Sequence, residues 1–388
     1  MTLYIVRRIA QSFGFILIAW LVVYTGLVLI MPGGPGRNYA GIKAGDGSVV
    51  RRFRGEENYL AFRYKVDKPW PLDFVLWLFD PNDTIQFLSD ANGNDYQVPK
   101  GIDLQIGNIR IQGSGVLTGD LGYTDSVGND NPISDLLASR WVNTALLIAG
   151  SLLLALPLSL MLGIVSALRK RSRLDHALTF FSFIGFSIPP YMLGIFLVIG
   201  FAVLPYLWHQ QYHWDWLPYF PAGYITDSDQ EGNVTNRLYH LVLPALTLAL
   251  PQVAYLSRYV RSSMLEVLKQ DYIRTAWAKG LRARKVVLKH ALRNALIPLI
   301  TMIGVLVPGL AGGAILVETI FSYNGMGQLY FKAIGGCIVE TQPCSPTGYP
   351  IDYPLSLTLT FILIVIVAIS NLIADLLYTV VDPRISYD

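Results

Sequence analysis

Residues 265–298, LEVLKQDYIRTAWAKGLRARKVVLKHALRNALIP, form a long basic stretch between two apolar runs that are each long enough to cross a bilayer. From Arg258 to Arg293 there are ten Lys or Arg residues against two acids, Glu266 and Asp271. Positive charge of this density is typical of the cytoplasmic side of a membrane protein. We therefore predict that residues 259–293 are a cytoplasmic loop and that this loop binds another protein.

Two helices are predicted within this loop. Residues 264–279 are mostly good helix formers without Pro or Gly, and related side chains recur at three- and four-residue steps. Gly280 follows as a natural C-terminal stop. A second helix is predicted over 283–296, where its basic residues keep it at the membrane face.

The chain as a whole is strongly apolar. Of its 388 residues, 53% are hydrophobic and 15% are charged, and the mean hydropathy is +0.42. This composition predicts an integral membrane protein and excludes an ordinary soluble domain. The predicted fold class is an all-α polytopic membrane protein with six transmembrane helices, which cover residues 9–31, 141–168, 177–204, 241–259, 298–321 and 353–380.

Proline and glycine mark two of these spans. Ser187-Ile188-Pro189-Pro190 interrupts the third span about midway, and such a kink is tolerated where neighbouring helices satisfy the freed carbonyl groups. The fifth span is rich in glycine, which lets membrane helices approach one another closely. Both features predict helices packed inside a bundle.

Residues 32–140 contain no apolar run of spanning length and are predicted to form an aqueous domain on the outer side. Apolar residues alternate on both sides of Gly107-Asn108, from Ile102 to Ile111. That pattern about a two-residue turn predicts a small β-hairpin within this extracytoplasmic region.

RTAWAKG at 274–280 and NALIP at 294–298 resemble the coupling motif of ATP-binding-cassette importer permeases. That motif has the general form Glu-Ala-Ala, three residues, Gly, then Ile-x-Leu-Pro. Arg-Thr-Ala is the variant of the dipeptide, oligopeptide and nickel permeases, and Trp277 stands where arginine is usual. ETIFSYNGMG at 318–327 and the stretch 371–384 are also similar to the family. A basic amphipathic helix lying on anionic lipid would explain the charges but not the glycine spacing.

The resemblance implies a type I importer permease fold in three parts: residues 1–31 with the first transmembrane helix, an extracytoplasmic domain over 32–140, and a five-helix core over 141–388. It implies a multi-pass protein of a bacterial or archaeal plasma (inner) membrane with both termini in the cytoplasm. The implied partners are a second homologous permease subunit, two ATPase subunits, an extracytoplasmic solute-binding protein and the lipid bilayer, with no nucleic acid. ATP and magnesium would bind to the ATPases, so no cofactor is expected on this chain.

In that family the helix before the motif's glycine docks on the ATPase. The expected ATPase-coupling residues are therefore Tyr272, Ile273, Arg274, Thr275, Ala276, Trp277, Ala278, Lys279 and Gly280. The translocation path is assigned to Ser187, Gly312 and Glu318. Two roles stay open for Glu318, which either lines the path or hydrogen-bonds at the membrane interface. Asp375 is similarly open between a gate carboxylate and a partner for a nearby base at the inner membrane edge.

Two stretches are insertions relative to the family. Residues 81–115 either dock the solute-binding protein or serve only in packing. Residues 335–350 hold Cys337 and Cys344 on the predicted outer side, where a disulfide is expected and free thiols in a loop are the alternative. His209 and His213 have the i,i+4 spacing of a metal-binding pair, but no carboxylate-backed helix accompanies them, so a solvated pair and no metal site is predicted.

The sequence contains no phosphate-binding loop, nucleophile elbow, zinc-protease motif or Rossmann fingerprint. We therefore expect a transport subunit that is not itself an enzyme, most simply one that imports di- or oligopeptides. Nickel or another small solute stays open as a substrate within the same family. A secondary transporter is the alternative from another class, but it would carry ionisable residues mid-span and an inverted repeat, and neither is evident.

Overall fold

The computed structural model describes residues 2–30, 88–89, 95–96, 104–106, 109–111, 121, 133–212, 219–227, 232–334 and 353–381. Helix α1 covers Thr2–Ile30, and short strands follow it. Strand β1 (Leu88–Ser89) pairs antiparallel with β2 (Asp95–Tyr96), and β3 (Leu104–Ile106) pairs antiparallel with β4 (Ile109–Ile111). In the second pair Leu104 lies opposite Ile111 and Ile106 opposite Ile109, in the stretch where the sequence predicts a hairpin.

The remaining described elements are helical. Helix α2 covers Ile133–Leu168, α3 Arg173–Ser187 and α4 Pro190–Val198, and a π-helical turn, Ile199–Val203, leads into α5 (Leu204–Tyr212). Helix α6 covers Val234–Val267 and α7 Asp271–Ala278. Helices α8 (Ala283–Lys285) and α9 (Leu292–Ala295) flank a second π-helical turn, Val286–Ala291. Then come α10 (Ile297–Ile320), α11 (Met326–Ala333) and α12 (Tyr353–Val381).

Several of these helices are long and apolar enough to cross a membrane. Among the described residues, five stretches meet that description, namely Arg7–Gly26, Ile133–Leu168, Pro190–Tyr212, Val234–Val267 and Leu355–Leu376. Within α10, the shorter stretch Leu306–Ile320 is also apolar. Length and composition thus give a multi-pass membrane protein.

The chain divides into two compact units. Residues 1–12, 140–331 and 365–388 form the first unit, and residues 13–139 and 332–364 form the second. In the second unit, Trp20 and Tyr24 of α1 are buried with Leu357 of α12, and the Trp20 ring lies 4.8 Å from that of Phe361. In the first unit, Arg8 of α1 forms an ion pair with Asp375 of α12 at 3.1 Å, so of the two roles left open for Asp375 the pairing with a base is observed.

Helix α6 has buried residues along much of its length in the first unit. Its N-terminal half shares an apolar cluster with α2 and α10, in which Leu243, Leu310 and Val317 are buried. Next to its other end, Gly163 of α2 comes so close that a Cβ there would lie 2.6 Å from Val260 Cβ and 2.7 Å from the Ser257 carbonyl oxygen. Glycine is required at this position because the two helices pack nearly backbone to backbone.

The kink predicted in the third span is confirmed. Helix α3 ends at Ser187, and Ile188 takes an extended conformation with φ −81° and ψ 122°. Proline at 190 then begins α4, where a missing N–H costs nothing because first-turn N–H groups have no partner within the helix.

The prediction of one helix over residues 264–279 is wrong. Helix α6 runs on from Val234 to Val267, and the chain then tightens, with Lys269 N donating to Glu266 O and Gln270 N donating to Val267 O. Gln270 is extended, with φ −70° and ψ 148°, and α7 begins at Asp271. The turn redirects the chain so that the apolar residues of α7 return to the core, a tertiary gain that overrides local helix propensity.

Candidate functional site

Helix α7 ends in a backbone motif that only a few residue types permit. The Gly280 N–H donates to Trp277 O (2.9 Å) and the Leu281 N–H to Ala276 O (3.4 Å), which are the two hydrogen bonds of a Schellman cap. Gly280 has φ +72°, in the left-handed region that favours glycine. The predicted stop at Gly280 is confirmed, and the chain turns there into α8.

One face of α7 is held in the protein's own core. Ile273 and Ala276 are buried in an apolar cluster that includes Met264 of α6 and Val286 of the second π-helical turn. This corrects the set of residues expected to touch an ATPase, since buried side chains cannot form an outer surface. Ile273 and Ala276 instead fix the position and the angle of α7.

The other face of α7 is exposed, and we call it the α7 face. Tyr272 is 42% exposed and Trp277 46%, and the Arg274 side chain is largely exposed with only a 3.4 Å contact to Asp271. The Tyr272 hydroxyl accepts a hydrogen bond from Asn294 Nδ2 at 2.7 Å, which orients its ring. The other expected coupling residues are exposed as well, namely Thr275, Ala278, Lys279 and Gly280.

A buried carboxylate lies near the same end of α6. Asp175 is only 3% exposed, and it accepts hydrogen bonds from the Ser166 hydroxyl, from Arg171 N (2.9 Å) and from Arg261 Nε and Nη2 (2.8 Å each). Arg261 therefore binds both carboxylate oxygens as a fork. Ser172 caps α3 by accepting from the Asp175 N–H at 3.2 Å.

The Arg261 fork determines the charge state of this group. Its hydrogen bonds hold the pKa of Asp175 well below the usual range, against the opposing effect of burial, and Ser166 and the Arg171 N–H lower it further. Asp175 is thus ionised at every physiological pH. Sequence reasoning missed this site because Arg261 lies 86 residues further on, although an acid two residues after the basic run 169–173, which includes the capping Ser172, was a visible signal.

Glu318 occupies a second buried polar cluster, at the end of α10. It is fully buried, and its carboxylate accepts from Thr144 Oγ1 (2.7 Å) and from Gln328 N (2.9 Å). Thr144 in turn accepts from Met326 N at 2.8 Å. Beside it, Asn143 Nδ2 donates to the Asn324 carbonyl oxygen at 2.7 Å, so α2 is fastened to the chain that follows α10.

The glycines of the 318–327 motif belong to this cluster. A Cβ on Gly325 would collide with the Glu318 carboxylate, and one on Gly327 would lie 2.6 Å from Ile315 Cα. The motif thus encodes a tight turn closed over a buried acid. Of the two roles open for Glu318, this geometry favours hydrogen bonding over lining an open path.

The other predicted site residues are dispersed. Ser187 is exposed at the end of α3, where its hydroxyl donates to Phe183 O at 2.8 Å. Gly312 is exposed on α10, with nothing within 4 Å of the position of a Cβ. Cys337 and Cys344 lie outside the described residues, as does His213, and of the stretch 81–115 only the strands are described. Within the described part of the chain, no group of three or more His, Cys, Asp or Glu could hold a metal ion.

Comparison with known proteins assigns the family. The family described as binding-protein-dependent transport system inner membrane component matches residues 159–387, which include α7 and the Glu318 motif. That match covers more than half of the chain. The chain therefore belongs to this family of inner-membrane transport components.

Individual relatives extend the match over nearly the whole chain. The oligopeptide transport system permease protein AppB of Bacillus subtilis (strain 168) is 38% identical over 328 residues, 84% of this chain and 93% of the relative. A putative peptide permease protein of Brucella suis is 31% identical over 382 residues, 98% of both chains. The dipeptide transport system permease protein DppB of Escherichia coli (strain K12) is 32% identical over 293 residues, 70% of this chain and 78% of the relative.

Proposed function

We propose that this chain is a transmembrane permease subunit of an ATP-driven importer of di- or oligopeptides. It forms the translocation path together with a second homologous permease, and it is driven by two ATPase subunits that bind ATP and magnesium. A solute-binding protein delivers the peptide from outside. The chain itself hydrolyses nothing. Peptides are proposed over nickel because the relatives AppB and DppB are named for oligopeptide and dipeptide transport.

The proposed topology has six transmembrane helices with both termini in the cytoplasm. Helix α10 supplies the fifth span. The parts are residues 1–31, an extracytoplasmic domain over 32–140 that holds the hairpin β3–β4, and a core over 141–388 with the coupling loop 259–293. Support comes from the basic residues, which concentrate in the loops assigned to the cytoplasm.

The proposal of ATPase coupling rests on the exposed α7 face. A short helix that buries Ile273 and Ala276 in its own protein leaves Tyr272, Arg274 and Trp277 exposed on its other face within the described part of the chain. Aromatic and arginine side chains with this exposure are the usual anchors of protein interfaces. A lipid-bound helix would instead turn its apolar face to the membrane, whereas α7 turns that face to the core.

The experiment is gentle extraction of the complex from its native membrane on a C-terminal tag, followed by mass spectrometry of the proteins that come with it. Two ATPase chains and a second permease are expected. Trp277→Ala should reduce the recovered ATPase at least tenfold, as loss of an interface anchor of about 2 kcal/mol or more would, while the recovered permease stays constant.

Ile273→Ala is a comparison variant, because it truncates the buried face of the same helix and acts on the core that positions α7, not on the exposed surface. It should lower the unfolding temperature of the purified chain, since a buried large-to-small change costs about 2–5 kcal/mol. Recovery of the chain alone from wild-type membranes would refute the importer. Equal ATPase recovery with Trp277→Ala would refute docking through the α7 face.

A further inference from the structure

One turn of α6, residues 260–264, contacts both α7 and α3. Val260 and Met264 share the apolar cluster that buries Ile273 of α7. Arg261, in the same turn, holds Asp175 in the first turn of α3. Helix α7 is thus connected to α6 by apolar packing, and α6 is connected to α3 by a charged pair.

The Asp175 carboxylate, in the first turn of α3, is bound by three other segments of the chain. It binds Ser166 from α2, the Arg171 N–H from the α2–α3 turn and Arg261 from α6. Arg171 has φ +63°, a left-handed conformation that is uncommon for a residue with a side chain and that aims its N–H at the carboxylate. About one helical turn before Ser166, Gly163 allows α2 to touch the backbone of α6.

We propose that Asp175 and Arg261 are positioning residues that make the α2–α3 turn move together with α7 when the ATPases close. The proposal rests on the coupling function proposed above and adds the route by which movement leaves the coupling helix. Two parallel hydrogen bonds of a fork hold both the distance and the angle between α6 and α3, which apolar packing alone does not fix.

The pair combines a carboxylate side chain that is only 4% exposed with a guanidinium side chain that is 30% exposed. Removing the Asp175 charge from water is costly, and an apolar residue of similar volume often stabilises a protein as well or better. The charged pair, unlike apolar packing, fixes the distance and the angle between α6 and α3. In the Arg8–Asp375 pair the side chains are 41% and 34% exposed, and Arg8 Nη1 lies 3.1 Å from Asp375 Oδ2; exposed pairs of this kind contribute little to stability.

The test uses the whole complex in proteoliposomes, with its ATPases and its binding protein. The readout is the amount of peptide transported for each ATP hydrolysed, measured beside the amount of ATPase that co-purifies. Arg261→Lys keeps the charge and much of the volume but loses the fork. Asp175→Asn and the double variant Asp175→Asn/Arg261→Gln remove one or both charges, and Arg8→Lys is the matched control.

Arg261→Lys and Asp175→Asn should lower transport per ATP at least about fivefold, the lower end of measured couplings between sites, with ATPase recovery unchanged. The double variant should be no worse than Asp175→Asn, because both changes break one connection. Arg8→Lys should match wild type. A merely structural pair would reduce the amount of complex and leave transport per ATP unchanged.

Wild-type transport per ATP in Arg261→Lys would overturn the inference while leaving the proposed function intact. Failure of both single variants to accumulate would also overturn it, since the pair would then serve folding. If the wild-type complex itself transports nothing on ATP, the proposed function fails and the inference fails with it.

Discussion

Asp175 and Glu318 are both buried, but their charges are compensated differently. Asp175 is hydrogen-bonded directly by the charged Arg261, whereas the direct hydrogen-bond donors to Glu318 are a hydroxyl and backbone N–H groups, and the charge of Arg140 acts on it without a hydrogen bond. A buried acid with neutral donors depends on close contact, because each bond is weak alone and the desolvation of the carboxylate is large. The turn over Glu318 should therefore be sensitive to any added atom.

Gly325→Ala tests that sensitivity. Its new Cβ would collide with the Glu318 carboxylate, so the turn must open and at least one donor is lost. We expect a destabilisation of about 1–3 kcal/mol, seen as a lower unfolding temperature of the purified chain in detergent at a fixed scan rate. Gly309→Ala on α10 is the control, since nothing lies within 4 Å of its Cβ position. Equal unfolding temperatures for the two variants would contradict this account of the motif.

The Asp175 site predicts a dependence of stability on acid pH. Because the folded pKa of Asp175 is depressed, the unfolded state binds more protons at intermediate pH, and stability rises with pH there. The contribution is complete above about pH 5 and is lost as the pH falls below the unfolded value of about 3.9. The gap in unfolding temperature between wild type and Asp175→Asn should therefore narrow between pH 5 and pH 3. If the difference in unfolding temperature stays constant over that range, the charge of Asp175 does not contribute to the stability of the folded state.

At the scale of secondary-structure elements, features set by local backbone chemistry were predictable from sequence. The break at Ser187-Ile188-Pro189-Pro190 and the stop at Gly280 follow from residues that restrict or extend φ. Features set by packing between elements were not. The turn at 268–270 exists because Ile273 and Ala276 pack back against Met264 of α6 and Val286 of the second π-helical turn, a contact that local periodicity does not reveal. For the same reason, the sequence alone did not predict which face of α7 is exposed.

The cap of α7 gives a prediction about this element. A β-branched residue at Gly280 is strained at φ +72°, whereas asparagine tolerates that region. Gly280→Val should therefore misdirect the chain between α7 and α8, and ATP-driven uptake should fall to background with the chain still inserted in the membrane. Gly280→Asn should retain most of the uptake. Both are measured as labelled-peptide accumulation in cells, with membrane abundance determined by immunoblot. Normal uptake by the Gly280→Val variant would show that the left-handed turn after α7 is not needed for transport.

At the scale of the whole molecule, helix α6 links the Glu318 cluster to α7. Helix α6 begins beside the Glu318 cluster, where Arg237 Nη2 donates to Asn143 Oδ1 at 2.7 Å, and ends beside α7. A ligand or nucleotide shifts such a bundle between states only by binding one state better than the other. Under the proposed function, the permease would therefore pass on free energy from ATP but could not supply it.

That constraint leads to the prediction that separates an importer from a secondary transporter. Proteoliposomes holding the complete complex should accumulate labelled dipeptide or oligopeptide only when the binding protein and ATP are both present on their proper sides. Collapsing the proton and sodium gradients with ionophores should leave this uptake unchanged, because the expected driving force is ATP hydrolysis on the partner subunits. Excess unlabelled peptide should compete, whereas excess nickel should not, since the relatives AppB and DppB are named for peptides.

Uptake that persists without ATP and disappears with the ionophores would make this chain a secondary transporter. Competition by nickel alone would keep the importer and change its substrate.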